Sequence, residues 1–176
     1  MSSLSKGRGE ISHLVVSENL KDADVRNYVL HWARNPDEGS EFGRRSRLIR
    51  MLPDKWLLRL LMLMKYDGIL LQREGRIVGH LFFQSRPDPI ERRSRALHAF
   101  SVFTVPEMRG AGLWNYRSTA FLELARSRGV KRVRGTVGDN PAGNALLRKL
   151  EQYAARLAIR KRADLGKGWF EIRPRG

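Results

Sequence analysis

The chain contains no cysteine. That excludes a disulfide framework, a thiolate nucleophile and a cysteine-ligated zinc site. Long apolar runs are also missing. The longest, residues 56–64, is broken by Arg59, whereas a membrane-spanning helix needs about 20 apolar residues. No membrane span is expected, and residues 55–66 read as a buried helix. Residues 1–10 are polar, with Gly and Ser, and read as a flexible start rather than a targeting peptide. A cytoplasmic protein is the expectation. The four histidines, His13, His31, His80 and His98, show no metal-ligand spacing, so no metal is expected. No G-x-x-x-x-G-K-[ST] phosphate loop, H-E-x-x-H zinc helix or G-x-S-x-G elbow is present.

Acidic residues are scarce relative to basic ones: 18 Asp and Glu against 34 Lys and Arg, a formal charge of +16. A field this positive attracts polyanions and speeds encounters with them. Nucleic acid, ribosomes, acidic proteins, anionic membranes and coenzyme A all fit. Arg outnumbers Lys by about three to one, and Arg suits phosphate recognition. The same excess also arises as compositional bias without a specific partner. At 176 residues, 41% of them hydrophobic, the chain is one domain's worth with enough length for a real core. Residues 11–176 are read as that single domain, without internal repeat or linker. Its oligomeric state is open.

Strands and helices alternate along it. Residues 11–17 read as a first strand, and residues 22–33 as a helix with Val25, Val29 and Trp32 on one side. Residues 35–43 are rich in turn formers, and residues 44–52 are basic. The helix at 55–66 is apolar nearly all round and should be sandwiched. Residues 68–73 and 76–84 flank Glu74-Gly75, a hairpin signal. Residues 85–95, SRPDPIERRSR, fit no strand and read as an exposed basic loop. With Arg44, Arg45 and Arg47 this loop is the candidate polyanion surface. A strand at 97–105 completes an antiparallel run of three. Residues 131–137 read as a strand, 141–152 as a helix, and 156–162 with 169–172 as a closing hairpin. The fold class is α+β (mixed α/β), with one central, mostly antiparallel mixed sheet flanked by helices.

The chain is organised around residues 97–114, LHAFSVFTVPEMRGAGLW. An apolar, partly β-branched strand stops at Pro106. Arg109-Gly110-Ala111-Gly112 follows, a loop with almost no side-chain bulk. A helix then starts, with Leu113, Tyr116, Ala120 and Leu124 near one face. Free N–H groups and the positive dipole end at such a start suit an anion such as a phosphate. Further on, Asp139-Asn140-Pro141 opens another helix, with Asn140 a plausible N-cap and Pro141 at its first position.

The order strand, R-G-A-G loop, helix, strand, Asn-led helix resembles the GNAT superfamily of acyl-CoA N-acyltransferases. Its Q/R-x-x-G-x-G/A motif corresponds to Arg109-Gly110-Ala111-Gly112-Leu113-Trp114, preceded by Val105-Pro106-Glu107-Met108. The resemblance is clearest between Leu97 and Leu150. It implies acetyl-CoA as co-substrate, with backbone groups of Val102, Phe103 and Thr104 along the pantetheine arm. Amides from Arg109, Gly110, Ala111, Gly112, Leu113 and Trp114 would hold the pyrophosphate, and Asn140 would contact the cofactor near the thioester.

Three positions depart from the family pattern. Trp114 stands where Gly or Ala is usual. Leu147 stands where many members carry a Tyr that protonates the thiolate, and Gly135 where some carry a basic Glu. His98, on the central strand, is the candidate catalytic residue, since imidazole titrates near pH 6.5 and can relay the acceptor's proton. A structural His is the other reading. Two functions follow. One is an N-acetyltransferase acting on a primary amine of an unidentified acceptor by direct attack. The other is a catalytically impaired module that uses its basic surface for RNA, other nucleic acid or an acidic protein.

Overall fold

The computed structural model describes residues 10–35, 51–135, 148, 152, 157–166 and 168–173. The flexible start expected at 1–10 but for Glu10, the basic stretch at 44–52 but for its last two residues, and most of the Asn140-led helix lie outside them.

Seven strands form one sheet in the order β1-β2-β3-β4-β5-β7-β6. They are β1 (Ile11–Val15), β2 (Tyr66–Arg73), β3 (Arg76–Pro87), β4 (Arg95–Thr104), β5 (Arg132–Gly135), β6 (Ile159–Lys161) and β7 (Trp169–Ile172). Every neighbouring pair is antiparallel except β4–β5, which is parallel. The helices are a single turn α1 (Val16–Asn19), α2 (Ala23–Arg34), α3 (Asp54–Leu63) and α4 (Leu113–Ser127).

The central strands read as continuous apolar runs because both faces are covered. Ile69, Leu71, Leu81, Phe83 and Leu97 pack towards α4, where Phe121 meets Phe83 at 5.4 Å between ring centroids. Leu70 and Phe82, one residue out of phase, join Val25, Val29, Leu57 and Leu61 from α2 and α3. Period-two alternation thus divides one sequence run between two cores. Asp22 starts α2 by accepting hydrogen bonds from the N–H groups of Asp24 and Val25, the expected N-cap geometry.

The β2–β3 turn is tight because Glu74 and Gly75 both take positive φ, 52° and 75°, the signature of a primed hairpin turn. Three sequence expectations change. The strand expected to 17 ends at Val15, where the chain turns into α1. The helix expected at 55–66 is Asp54–Leu63 and is not sandwiched: Leu57 and Leu61 are buried, but Trp56 is 57% and Leu63 69% exposed. Only one of its faces meets the sheet.

The third change concerns residues 85–95. Ser85, Arg86 and Pro87 extend β3, and Arg95 begins β4. The turn between them is built on Asp88, which is buried. Its carboxylate accepts from the N–H groups of Ile90 and Glu91 and pairs with buried Arg132 at 2.8 Å. Burial pushes the Asp88 pKa up, but those amides and Arg132 outweigh it and hold the carboxyl below its ordinary range. The two prolines had masked an edge-compatible hairpin. Arg92 and Arg93 are exposed.

Candidate active site

β4 sits in the middle of the sheet, yet half of it has no neighbour on its β5 side among the described residues. Pairing with β5 covers only Leu97–Val133, His98–Arg134 and Ala99–Gly135. The register with β3 slips at this point: Phe83 faces Ala99 and Phe82 faces Ser101, leaving Phe100 as the extra residue of a bulge. A bulge bends its strand and increases the local twist. Beyond the bulge Val102 and Phe103 are each 37% exposed, and a cleft opens beside Val102.

The cleft so formed has a volume of about 70 Å³ and is mostly apolar. Ala99 and Val102 line one wall, Val133 and Gly135 the other, and Trp114 and Phe121 of α4 the floor. The Val105 N–H bonds to Val78 on β3. Strand alternation then turns the N–H and C=O of Val102 and Thr104 to the open edge and those of Phe103 towards β3. Arg109 Nε accordingly reaches the Thr104 carbonyl at 3.4 Å, while the Phe103 carbonyl accepts from Arg117 at 2.8 Å. Of the three residues named for the pantetheine arm, Val102 and Thr104 turn their backbone groups to the β5 side, and Phe103 does not.

At the cleft's mouth, a 3₁₀ turn (Pro106–Met108) leads into the glycine loop. Gly110 and Gly112 have φ of 81° and 77°, and a Cβ at either would meet nothing within 4 Å. The backbone conformation requires glycine here, and the space beside it is open to a ligand. Gly112 is the N-cap of α4, and no side chain caps that helix. An uncapped helix start of 15 residues' dipole is a ready anion seat.

Trp114, at the second position of α4, puts its indole in the cleft wall. Its Nε1 is buried and has no hydrogen-bond partner. The Arg117 guanidinium lies 5.5 Å from its ring centroid. Sequence reasoning missed Arg117. It is buried, donates to the carbonyls of His80 and Phe103 and to Thr104 Oγ1 at 3.1 Å, and burial lowers its pKa to about 10. It stays charged at neutral pH and adds positive potential at the mouth. The signal was an arginine four residues after Leu113, inside the buried stripe of α4.

A second missed feature lies on the α2 face of the sheet. His80 is buried, with Tyr28 Oη 2.9 Å from Nδ1 and Ser101 Oγ 2.9 Å from Nε2. Burial, with Arg117 nearby, lowers its pKa to about 3. A neutral ring held by two hydroxyls is a structural element.

His98 is also buried, one residue before the last β4–β5 pair. It stands in a row of cross-strand neighbours on one face: Gln84 of β3, His98 of β4, Arg134 of β5 and Trp169 of β7. Gln84 is held by the Met64 carbonyl at 2.8 Å. His98 therefore lies on the face of the sheet opposite Leu97 and Ala99, and it is not one of the residues that line the cleft. Gly135, which occupies the position of the family's Glu, has open space where a Cβ would stand. Asn140 and Leu147 lie outside the described residues. Among the described residues, no cluster of three metal-ligating side chains occurs and no helix is long and apolar enough to cross a membrane.

No family model matches the sequence, and no curated protein matches it. Solved structures do. A ribosomal-protein-alanine N-acetyltransferase from Brucella melitensis biovar Abortus 2308 superposes with a TM-score of 0.54 at 16% identity, over 82% of this chain and 91% of that one. An acetyltransferase from Trypanosoma brucei gives 0.55 at 19% identity, over 86% and 94%. A predicted acetyltransferase from Clostridium acetobutylicum, solved with acetyl-CoA, gives 0.50 at 13% identity, over 79% and 87%. With its bulged fourth strand, its single parallel pair and its glycine-led helix, the chain has the GNAT acetyltransferase fold.

Proposed function

We propose that the protein is an acyl-CoA-dependent N-acetyltransferase acting on a primary amine. The observation that carries this reading is the β4–β5 cleft. Val102 lines it and turns its backbone to the β5 side, as Thr104 does, and the chain then runs into a positive-φ loop and an uncapped helix start. That combination suits a ligand with an amide-bearing arm and a diphosphate. Bound acetyl-CoA would supply the activated acetyl group. Val102 and Thr104 would hold the arm, and residues 109–114 the diphosphate.

In such a transfer the amine nitrogen gains the acetyl carbon and the C–S bond breaks. The acceptor ammonium loses two protons: one ends on the thiol and one leaves to solvent. His98, the cross-strand neighbour of the cleft-lining Arg134, takes the departing proton in this reading. Direct attack works without a strong acid at Leu147, because a thiol is a fair leaving group. The +16 chain repels polycationic amines, so an aminoglycoside, the substrate named for several structural neighbours, is a poor acceptor for it.

The second reading, a non-catalytic basic module, is favoured by the Trp114 indole, which narrows the cleft where the family keeps Gly or Ala. Calorimetry with acetyl-CoA separates the two. Micromolar binding that Trp114→Ala strengthens or leaves intact supports the enzyme. No binding in either protein leaves the module.

A further inference from the structure

Arg134 lies on β5 immediately before Gly135, the last described residue of that strand. It lines the cleft and is the cross-strand neighbour of His98. The other arginines of this part of the sheet are neutralised. Arg132 pairs with Asp88 and lies near Glu91 and Glu171. Arg160 and Arg162 share Glu171, and Arg162 also holds Asp164. Arg134 has no carboxylate among the described residues. Its guanidinium instead lies 5.4 Å from the Trp169 ring centroid, and its Nε is buried without a hydrogen-bond partner.

A guanidinium stacked on an indole is pre-organised: its plane is fixed and little rotamer freedom remains to be lost on binding. Its terminal nitrogens, which no carboxylate meets among the described residues, are the donors that a bound carboxylate takes. Neighbouring strands are about 4.8 Å apart, so an acceptor that meets both His98 and Arg134 is short. We infer that Arg134, seated on Trp169, is an anion subsite beside His98 that selects acceptors whose amine stands a few bonds from a carboxylate, free amino acids being the simplest. This rests on the acyl-transfer reading and names its acceptor class.

The test uses the full chain, the L-amino acids and their amides, which differ only in the carboxylate. Thiol release from acetyl-CoA gives KM and kcat, and saturation-transfer NMR without acetyl-CoA gives acceptor binding directly. The expected result is turnover of at least one amino acid with KM about 10²-fold below that of its amide, the scale of a lost charge-paired contact. Arg134→Gln removes that difference and the NMR signal while leaving acetyl-CoA affinity unchanged by calorimetry. Arg134→Lys recovers part of it, since a lysine cannot make the fork. Trp169→Phe, which keeps an aromatic platform of lower quality, weakens acid binding several-fold. Amides that serve as well as acids, or an Arg134→Gln protein with unchanged acid KM and NMR response, overturn the inference. Calorimetry without acetyl-CoA binding removes the acyl-transfer reading alone, and the NMR arm then decides Arg134 by itself: acid binding that Arg134→Gln abolishes upholds the subsite, and no binding removes it.

Discussion

The glycine loop yields the most direct test of the cofactor seat, because two substitutions at one position separate backbone from charge. Gly112 has φ of 77°, and a Cβ there would touch no protein atom within 4 Å. Gly112→Ala therefore meets no clash. It is left with the cost of the left-handed conformation, about 1–2 kcal/mol. In a domain of this size each kcal/mol lowers Tm by roughly 2–4 °C, so Gly112→Ala should melt roughly 2–8 °C lower. Gly112→Glu has the same backbone cost and adds a negative charge at the helix start. A carboxylate about 6 Å from a phosphate, at an effective dielectric of about 20, is repelled by about 3 kcal/mol. That is about a 10²-fold loss of affinity. The assay is calorimetry with acetyl-CoA on wild type and both variants, with melting curves alongside. The two variants should melt alike and differ in Kd by at least about 30-fold. If Gly112→Glu binds acetyl-CoA no more weakly than Gly112→Ala, the phosphates do not sit at this helix start and the assignment of residues 109–114 fails.

Three further outcomes are expected. His98→Gln should lower kcat by about 10²-fold or more, the scale of general-base loss, with acetyl-CoA affinity unchanged; full activity would make His98 structural. His80 has a folded pKa of about 3 against 6.5 for the free side chain, so its contribution to stability is complete above pH 6.5 and is lost as the pH falls towards 3. The slope is up to about 1.4 kcal/mol per pH unit, and His80→Gln should flatten the Tm–pH curve between pH 6 and 4 even though it lowers Tm throughout. Arg92 and Arg93, exposed in the β3–β4 turn, should contribute to salt-sensitive RNA binding; fluorescence anisotropy that is identical for wild type and the double Glu variant would leave the +16 charge without this role.

Element identity was legible where local chemistry is decisive. The Glu74-Gly75 turn, the Asp22 cap and the glycine-led start of α4 each rest on one or two residues whose backbone preferences have few rivals. The residues that failed were decided by partners far away in sequence. Pro87 and Asp88 read as loop, yet the buried Asp88–Arg132 pair, 44 positions apart, draws them into a hairpin. Apolar residues all round α3 read as a sandwiched helix, yet among the described residues Leu57 and Leu61 are buried, Leu58 and Met62 are half-buried beside them, and Trp56 and Leu63 stay exposed. Periodicity records which faces could be buried; which are depends on where the sheet ends.

The same distinction runs through the site. The proposed cofactor half is made of backbone: strand residues next to a bulge, two positive-φ glycines and a helix start without a side-chain cap. Glycine and proline spell the loop in the sequence. The proposed acceptor half is made of side chains on four strands, Gln84, His98, Arg134 and Trp169, and no spacing in one sequence joins them. The bulge at Phe100 links the two halves. It lies between the row Gln84, His98, Arg134 and Trp169 and the exposed residues Val102 and Phe103. Deleting Phe100 would remove the extra residue and leave both flanking registers, Phe83–Ala99 and Phe82–Ser101, as they are, so His98 would keep its face and its neighbours Gln84 and Arg134. Position 98 thus has its surroundings through pairing partners 14 positions before it and 36 after it, which no residue type announces.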